Sequence, residues 1–146
     1  MISVSEYSFL GWFLLAILSC RVIYRDISTR TISNRACAAI LGISLLMGFT
    51  HIAVVKTILV CVVLLTLYGL SIWGGGDSKL AIAFLPAVSE QYLWLYLLFI
   101  AVLGGALAMI YLFYGCFVGM KKVKQRGLPF GIPICLSALF FIAASL

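Results

Sequence analysis

The chain has 146 residues, of which 65% are hydrophobic and 10% are charged, and its formal net charge is +6. A soluble domain carries about 25% charged residues, so this composition argues against a soluble protein and is typical of a membrane-embedded one. The basic residues lie in short gaps between apolar runs, as the positive-inside rule requires, and form no stripe that would indicate nucleic-acid binding. We therefore predict an all-α integral membrane helical bundle, a single domain over residues 1–146, with no nucleic-acid partner.

Six apolar segments are predicted to cross the membrane, at residues 7–24, 36–49, 52–73, 77–88, 92–120 and 129–146. The fourth is short, because twelve residues of helix rise only about 18 Å against a hydrocarbon core of roughly 30 Å. If all six cross with the N-terminus outside, both termini lie outside and nine of the ten Lys and Arg residues face the cytoplasm. Only Lys56 then lies outside, and this excess of positive charge on the cytoplasmic side favours six crossings.

The first apolar segment is predicted to remain in the protein, because its basic residues follow the apolar run and do not precede it as in a signal peptide. The five cysteines lie in or beside apolar runs and none forms a C-x-x-C pair. We expect neither a disulfide framework nor a zinc site. The lone histidine, His51, falls on the outer side, which argues against histidine-dependent nucleophilic catalysis and against a histidine-rich metal site.

The chain contains only four acidic residues, Glu6, Asp26, Asp77 and Glu90. In this topology Glu6 and Glu90 lie outside, while Asp26 and Asp77 lie at cytoplasmic ends of apolar runs, where acids are costly and indicate function. Two neighbouring carboxyl groups share a proton, and such a pair activates water for amide hydrolysis. The structural alternative is that Asp26 is a solvated acid in the polar loop 25–35 and that Asp77 caps the fourth helix.

Three motifs carry a family resemblance. Residues 73–80, WGGGDSKL, contain G-x-G-D followed by x-K-L; residues 26–34 match D-x(5)-I-x-N; and residues 129–131 read P-F-G. Together they resemble the prepilin peptidases, a branch of the GxGD intramembrane aspartic proteases. The resemblance implies that Asp26 and Asp77 are the catalytic pair and that no metal or cofactor takes part. It also implies a set of residues that shape the site or bind substrate, namely Gly74, Gly75, Gly76, Lys79, Asn34, Pro129, Phe130 and Gly131.

The implied substrate is the basic leader of a type IV prepilin or pseudopilin, cut at the cytoplasmic face of the inner membrane. Larger prepilin peptidases carry a further domain with C-x-x-C motifs that methylates the new N-terminus; this chain resembles the short Tad/Flp type, so we expect peptidase activity only. Two alternatives remain, a non-enzymatic membrane protein such as a proton-coupled transporter, and a GxGD peptidase with another substrate. Pilin genes close to the gene for this chain would favour the prepilin peptidase interpretation over both alternatives.

Several polar residues have more than one interpretation. Lys79 either tunes Asp77, holds the leader or reaches for lipid phosphate. Asn34 either hydrogen-bonds within the site or caps the second helix, and Pro129 is expected to start the last one. The basic cluster at 121–126 is expected to set topology and bind membrane lipids. We also expect the loop carrying Asp26 to order around bound leader, with the two carboxyl groups farther apart than a hydrogen bond in its absence.

Overall fold

The computed structural model describes residues 4–48, 54–70, 73–118 and 128–146. Within them the chain forms α-helices and two short 3-10 turns, Leu85–Ala87 and Glu90–Tyr92, and no strand. The six helices are α1 (Val4–Thr29), α2 (Asn34–Gly48), α3 (Val54–Gly69), α4 (Gly75–Phe84), α5 (Leu93–Val118) and α6 (Gly131–Ala143). The all-α prediction is confirmed. His51 and the basic cluster at 121–126 lie outside the described residues.

The shortest helix, α4, lies at the centre of the bundle. It contacts α2, α3 and α6, while α1 packs against α2 and α6, and α5 packs against α3 and α6. Its ten residues are largely buried, with Leu80, Ala81 and Phe84 at 0% exposure. Glycines precede it and Pro86 follows it, so the sequence itself limits its length. A short central helix places its first turn at one end of the bundle, within reach of neighbouring helix ends.

Helices α1 and α6 run in opposite directions. Trp12, near the start of α1, donates a 3.0 Å hydrogen bond from Nε1 to the carbonyl of Leu139, near the end of α6. At the other end of the same helix pair, Asp26 near the end of α1 meets Gly131 at the start of α6. The end of the bundle that carries Asp26 and Asp77 is called the aspartate end below.

The opposite end carries an ion pair between Lys56 Nζ and Glu90 Oε1, at 2.5 Å. Both side chains are about half exposed. Lys56 is the one basic residue that the predicted topology leaves outside, and its charge is compensated there by Glu90. An exposed ion pair of this kind contributes less than about 1 kcal/mol, so its interest is topological rather than energetic.

Two of the described helices are long and apolar enough to cross a membrane, Tyr7–Thr29 and Glu90–Phe117. Three more, α2, α3 and α6, are apolar but shorter, and α4, with ten residues, is about 15 Å long. Much of the outer surface is apolar, with Leu46 and Phe117 more than four-fifths exposed. Such a surface suits lipid. Six crossings, with both termini outside, stay a prediction.

The polar stretch 25–35 is not the loop that was predicted. Helix α1 continues to Thr29 and α2 begins at Asn34, so only residues 30–33 connect them. Ser28 and Thr29 favour turns, but here their hydroxyls donate back to the carbonyls of Tyr24 and Arg25, at 2.8 and 2.9 Å, and prolong the helix. Asp26 therefore lies on a helix, and the expectation that it orders only around substrate loses its basis.

Candidate active site

Asp26 occupies the last turn of α1 and is 5% exposed. Its Oδ2 accepts a 2.8 Å hydrogen bond from the backbone N–H of Gly131. That N–H belongs to the first turn of α6, where backbone donors have no partner within the helix. The start of α6 therefore satisfies one oxygen of a buried carboxyl group and fixes its direction. The interpretation of Asp26 as an ordinary solvated loop acid is wrong.

The end of α1 is closed by Arg30, whose backbone φ is 55°. Its N–H donates to the carbonyl of Asp26 at 3.2 Å, which is the hydrogen bond of a left-handed helix C-cap. Glycine is the usual residue in that conformation, and any side chain there costs roughly 1–2 kcal/mol. An arginine in place of glycine indicates that its side chain is needed at this position.

Asp77 is the third residue of α4, and Gly74 precedes the helix as its N-cap, so Asp77 is not the capping residue. Asp77 lies in the polar turn outside the two long apolar helices, next to the buried end of α1. Burial first, and then the charge of Asp26, raise the pKa of Asp77 to about 6. A hydrogen bond from the Gly74 backbone and the charge of Arg30 oppose that rise in pKa. The two carboxyl groups are thus electrostatically coupled, and their separation without substrate stays a prediction.

Each glycine of the G-x-G-D motif meets a different neighbour. A Cβ atom on Gly74 would lie 2.9 Å from Oδ2 of Asp77, so the absence of a side chain lets the carboxyl group turn back over its own N-cap. A Cβ on Gly75 would lie 3.1 Å from the Tyr68 ring, and one on Gly76 3.3 Å from Ile32. Tyr68 and Ile32 therefore pack closely against the last two glycines of the motif.

The P-F-G motif forms the wall beside Asp26. Pro129 is buried and precedes Phe130, the N-cap of α6, so it does not occupy the first helical position as predicted. The Phe130 ring packs on Gly104 of α5 and lies 6.0 Å, centroid to centroid, from the Trp73 ring. Gly131 follows, and a Cβ on it would lie only 2.7 Å from Asp26 Oδ2. The motif thus brings α6 close enough to bond Asp26.

Residues 12–146 match the sequence profile described as the type IV leader peptidase family. The chain belongs to the type IV leader peptidase family. The match covers both aspartates and all three motifs on which the resemblance was based. Comparisons with curated proteins and with solved structures give no match. Family membership makes the chain a peptidase of the leader-peptidase type rather than a transporter, and together with its apolar helices it makes the chain a membrane protein.

Lys79 and Asn34 contact each other. Lys79 Nζ donates a long hydrogen bond of 3.4 Å to Asn34 Oδ1, which links α4 to the first residue of α2. Lys79 follows Asp77 by two residues, and its side chain is exposed. The pair therefore joins two helices at the rim of the aspartate end, and in this structure Lys79 bonds to a neighbouring helix.

Arg30 is a component of the site that the sequence analysis missed. Its Nη2 donates to the Tyr111 hydroxyl at 3.4 Å, and the guanidinium carbon lies 6.0 Å from the centroid of the Tyr111 ring. The remaining donors, Nε and Nη1, are buried and have no hydrogen-bond partner in the part of the chain that the structure describes. The charge of Arg30 also opposes the rise in the pKa of Asp77. The positive φ and the contact with α5 are tertiary features, so no signal in the sequence points to them.

Among the residues that the structure describes, no three side chains of His, Cys, Asp or Glu lie close enough together to hold a metal ion. The leader peptidase's five cysteines are all free thiols. The sequence-based expectation that the reaction uses neither metal nor cofactor stays a prediction. The groups that the aspartate end offers for chemistry are two carboxyl groups and one guanidinium.

Proposed function

We propose that this member of the type IV leader peptidase family is an aspartic endopeptidase in which Asp26 and Asp77 together activate water. The observation that carries the proposal is the pairing of a buried Asp26 with an Asp77 whose pKa is raised to about 6 by burial and by the charge of Asp26. Such a pair holds one proton in common near neutral pH, as the reaction requires. The other two acids of the chain, Glu6 and Glu90, lie far along the sequence from both.

The proposed reaction uses the two acids in different roles at its start. Asp26 has one oxygen held by the Gly131 N–H, which leaves its second oxygen to take a proton from water. Asp77, in its protonated form, donates its proton to the oxygen of the scissile carbonyl while the water oxygen bonds to the carbonyl carbon. When the carbon–nitrogen bond breaks, the proton on Asp26 passes to the leaving amine, and one hydroxyl proton of the tetrahedral intermediate returns to Asp77 as the carbonyl group re-forms. The products are a carboxyl terminus and a free amine, and both acids regain their initial protonation states.

Arg30 is proposed to assist the same step. Two of its donors are buried and have no partner among the described residues, a state that is costly unless a ligand uses them. A substrate carbonyl beside the carboxyl pair would accept from these donors and be held as negative charge develops on its oxygen. This accounts for an arginine in a backbone conformation that favours glycine.

We further propose that the substrate is the leader of a type IV prepilin or pseudopilin, cut at the cytoplasmic face of the inner membrane. Five basic residues lie within nine positions of Asp26 or Asp77 in the sequence, which supports a cytoplasmic aspartate end under the positive-inside rule; they are Arg21, Arg25, Arg30, Arg35 and Lys79. A GxGD peptidase with another substrate is the nearest alternative, and substrate trials separate the two.

The test is cleavage of a co-expressed prepilin by the wild type and by Asp26→Asn and Asp77→Asn, read as a leader-sized shift on a gel. Asparagine preserves shape but cannot share the proton, so both variants are expected to lose cleavage at normal membrane levels. Glu90→Gln is the matched control, because it removes an acid at the opposite end of the bundle. Wild-type cleavage by either aspartate variant would refute the carboxyl pair; cleavage of other peptides but of no prepilin would refute the substrate alone.

A further inference from the structure

A cavity of about 350 Å³ lies between α1, the connection 30–33 and α2, at the aspartate end. Its polar lining is basic and hydroxylic, and apolar side chains of α1 and α2 complete the wall. The polar members are Arg21, Arg25, Arg35, Thr31 and Ser33. None of the three motifs that define the family resemblance supplies its guanidinium groups, so the proposed peptidase chemistry does not account for this cavity.

The positive charge in the cavity has no acidic partner among the described residues. No Asp or Glu lines it, and none of the three arginines forms an ion pair with any residue that the structure describes. Arg21 and Arg25 are one helical turn apart on α1 and so share a face. Arg35 reaches the same cavity from the first turn of α2, where the positive end of the helix dipole disfavours a cation. Three like charges at one cavity favour the binding of an anion.

The chemistry of the lining identifies the class of that anion. Guanidinium groups bind phosphate through paired N–H donors, and the hydroxyls of Thr31 and Ser33 are further donors. The apolar part of the wall, which includes Leu18 and Val22, extends from the arginines along α1 into its apolar segment. A free phosphate ion would leave this apolar wall uncovered, whereas an acyl chain would cover it.

We propose that this cavity binds the phosphate headgroup of an acidic phospholipid, with an acyl chain along the apolar wall between α1 and α2. The charges and the position at the end of a long apolar helix suit the cytoplasmic leaflet, where basic pockets between helices bind such headgroups. The basic leader of a prepilin is not the occupant, because its charge has the same sign as that of the arginines. The proposal does not rest on the proposed peptidase function.

Bound lipid would also stabilise the site indirectly. Arg25 directly precedes Asp26, and the connection 30–33 carries both Ile32, which packs on Gly76 of the G-x-G-D motif, and Arg30. An anion joining Arg21, Arg25 and Arg35 would hold this connection between the two helices. The lipid therefore acts on the geometry of the aspartate end without touching either carboxyl group.

The experiment is a titration of the purified full chain in mild detergent with phosphatidylglycerol and, separately, with phosphatidylcholine, followed by native mass spectrometry. The wild type is expected to bind one phosphatidylglycerol more tightly than any further copy and more tightly than phosphatidylcholine. The variant Arg21→Gln/Arg25→Gln/Arg35→Gln is expected to bind that first copy roughly 100-fold more weakly, from the combined loss of three basic contacts.

The control is Lys56→Gln, which removes a basic residue at the opposite end of the bundle and is expected to retain the tightest copy. Equal weakening in both variants, or wild-type affinity in the arginine variant, would overturn the proposal. Inorganic phosphate is also tested as a competitor of the bound lipid. If phosphate alone displaces the lipid at equal concentration, the occupant is a free phosphate and the lipid assignment is wrong.

A second measurement covers the case in which the triple arginine variant does not fold. Phenylglyoxal modifies accessible arginines, and peptide mass mapping of the wild-type chain reports each position. Phosphatidylglycerol is expected to protect Arg21, Arg25 and Arg35 several-fold, while phosphatidylcholine does not. Equal modification with either lipid would overturn the proposal.

Discussion

The backbone N–H of Gly131 and the Oδ2 of Asp26 are joined by a 2.8 Å hydrogen bond across 105 residues of the chain. This bond connects the first turn of α6 to the last turn of α1, and it is the contact that fixes the direction of the Asp26 carboxyl group. It depends on glycine, because a Cβ at position 131 would lie 2.7 Å from Oδ2 and 3.2 Å from the carboxyl carbon of Asp26. Gly131 and Asp26 are both buried, so neither residue has free space into which it could move.

Gly131→Ala is therefore expected to displace the Asp26 carboxyl group and lower prepilin cleavage at least about tenfold, as misplacement of a catalytic group by under an ångström does. The measurement is kcat from a time course in detergent. Gly105→Ala is the matched control, since a Cβ on Gly105 meets nothing within 4 Å, and it is expected to cleave at the wild-type rate. Equal rates for the two variants would show that the Gly131 contact does not position Asp26.

Substitutions of Arg30 separate its backbone role from its side-chain role. Arg30→Gly relieves the left-handed φ of 55° and is expected to keep or raise the apparent Tm while abolishing the side-chain contacts. If the guanidinium holds the substrate carbonyl, both Arg30→Gly and Arg30→Gln lower kcat, by roughly 100-fold for a lost donor of this type. Tyr111→Phe, which removes only the 3.4 Å hydrogen bond from Arg30, serves as the mild control. A wild-type kcat in Arg30→Gly would exclude a role for the side chain in the reaction.

The carboxyl pair predicts a specific pH dependence. Because the pKa of Asp77 is raised from 3.8 to about 6, its protonated form declines as pH rises through 6, and cleavage that uses this proton declines with it. Stability is expected to fall with rising pH in the same way. Because the pKa of Asp77 is higher in the folded state, its contribution to stability is fully present below about pH 4 and is lost between about pH 4 and 6. Infrared titration of the protonated carboxyl band measures the pKa directly.

Variants test the causes of that raised pKa. Asp26→Asn removes the negative charge of Asp26, which is the second cause of the raised pKa, and leaves the first cause, burial. The pKa of Asp77 is therefore expected to fall yet to stay above its ordinary value. Arg30→Gln removes a contribution that lowers the pKa, so the pKa is expected to rise. An unchanged titration in Asp26→Asn would mean that the two carboxyl groups are not coupled, and the shared-proton mechanism would fail with it.

The two aspartates could be proposed as a catalytic pair from sequence because their motifs are local. G-x-G-D and D-x(5)-I-x-N each span fewer than ten residues, and the small number of acids in the chain leaves few competitors. The position of Asp26 on a helix was not predicted, because Ser28 and Thr29 have low intrinsic helix propensity. Their hydroxyls instead bond to carbonyls of the preceding turn, a choice that the packing of α1 against α2 and α6 decides.

The tertiary relationships could not be predicted from sequence for a different reason. Hydropathy identifies α4 as an apolar segment but carries no information on which of the segments lies at the centre. The Gly131–Asp26 bond and the Arg30–Tyr111 contact join residues 105 and 81 positions apart, and no local pattern encodes such distances. The P-F-G motif was recognised only by its resemblance to the family pattern. In the structure its glycine allows α6 to approach Asp26 closely, which gives a physical reason for a glycine at that position.

A close backbone approach lies at the end opposite the aspartates, where α2 ends on the turn that follows α4. A Cβ on Gly48 would fall 1.7 Å from the carbonyl oxygen of Pro86, which is backbone and cannot rotate away. Gly48→Ala must therefore push Leu85–Ala87 away from α2, and overpacking of this kind costs roughly 1–3 kcal/mol. Gly42→Ala, on the same helix with nothing within 4 Å of its Cβ, replaces a poor helix former by a good one and is expected to be neutral or stabilising. The measurement is apparent Tm in detergent, which is expected to be lower than wild type for Gly48→Ala and not lower for Gly42→Ala.

The same Gly48→Ala variant tests whether α4, which carries Asp77 at its other end, couples the two ends of the bundle. A Gly48→Ala protein that loses Tm but keeps kcat would show that α4 transmits no displacement to the site. Loss of both Tm and kcat would show that the central helix couples the two ends.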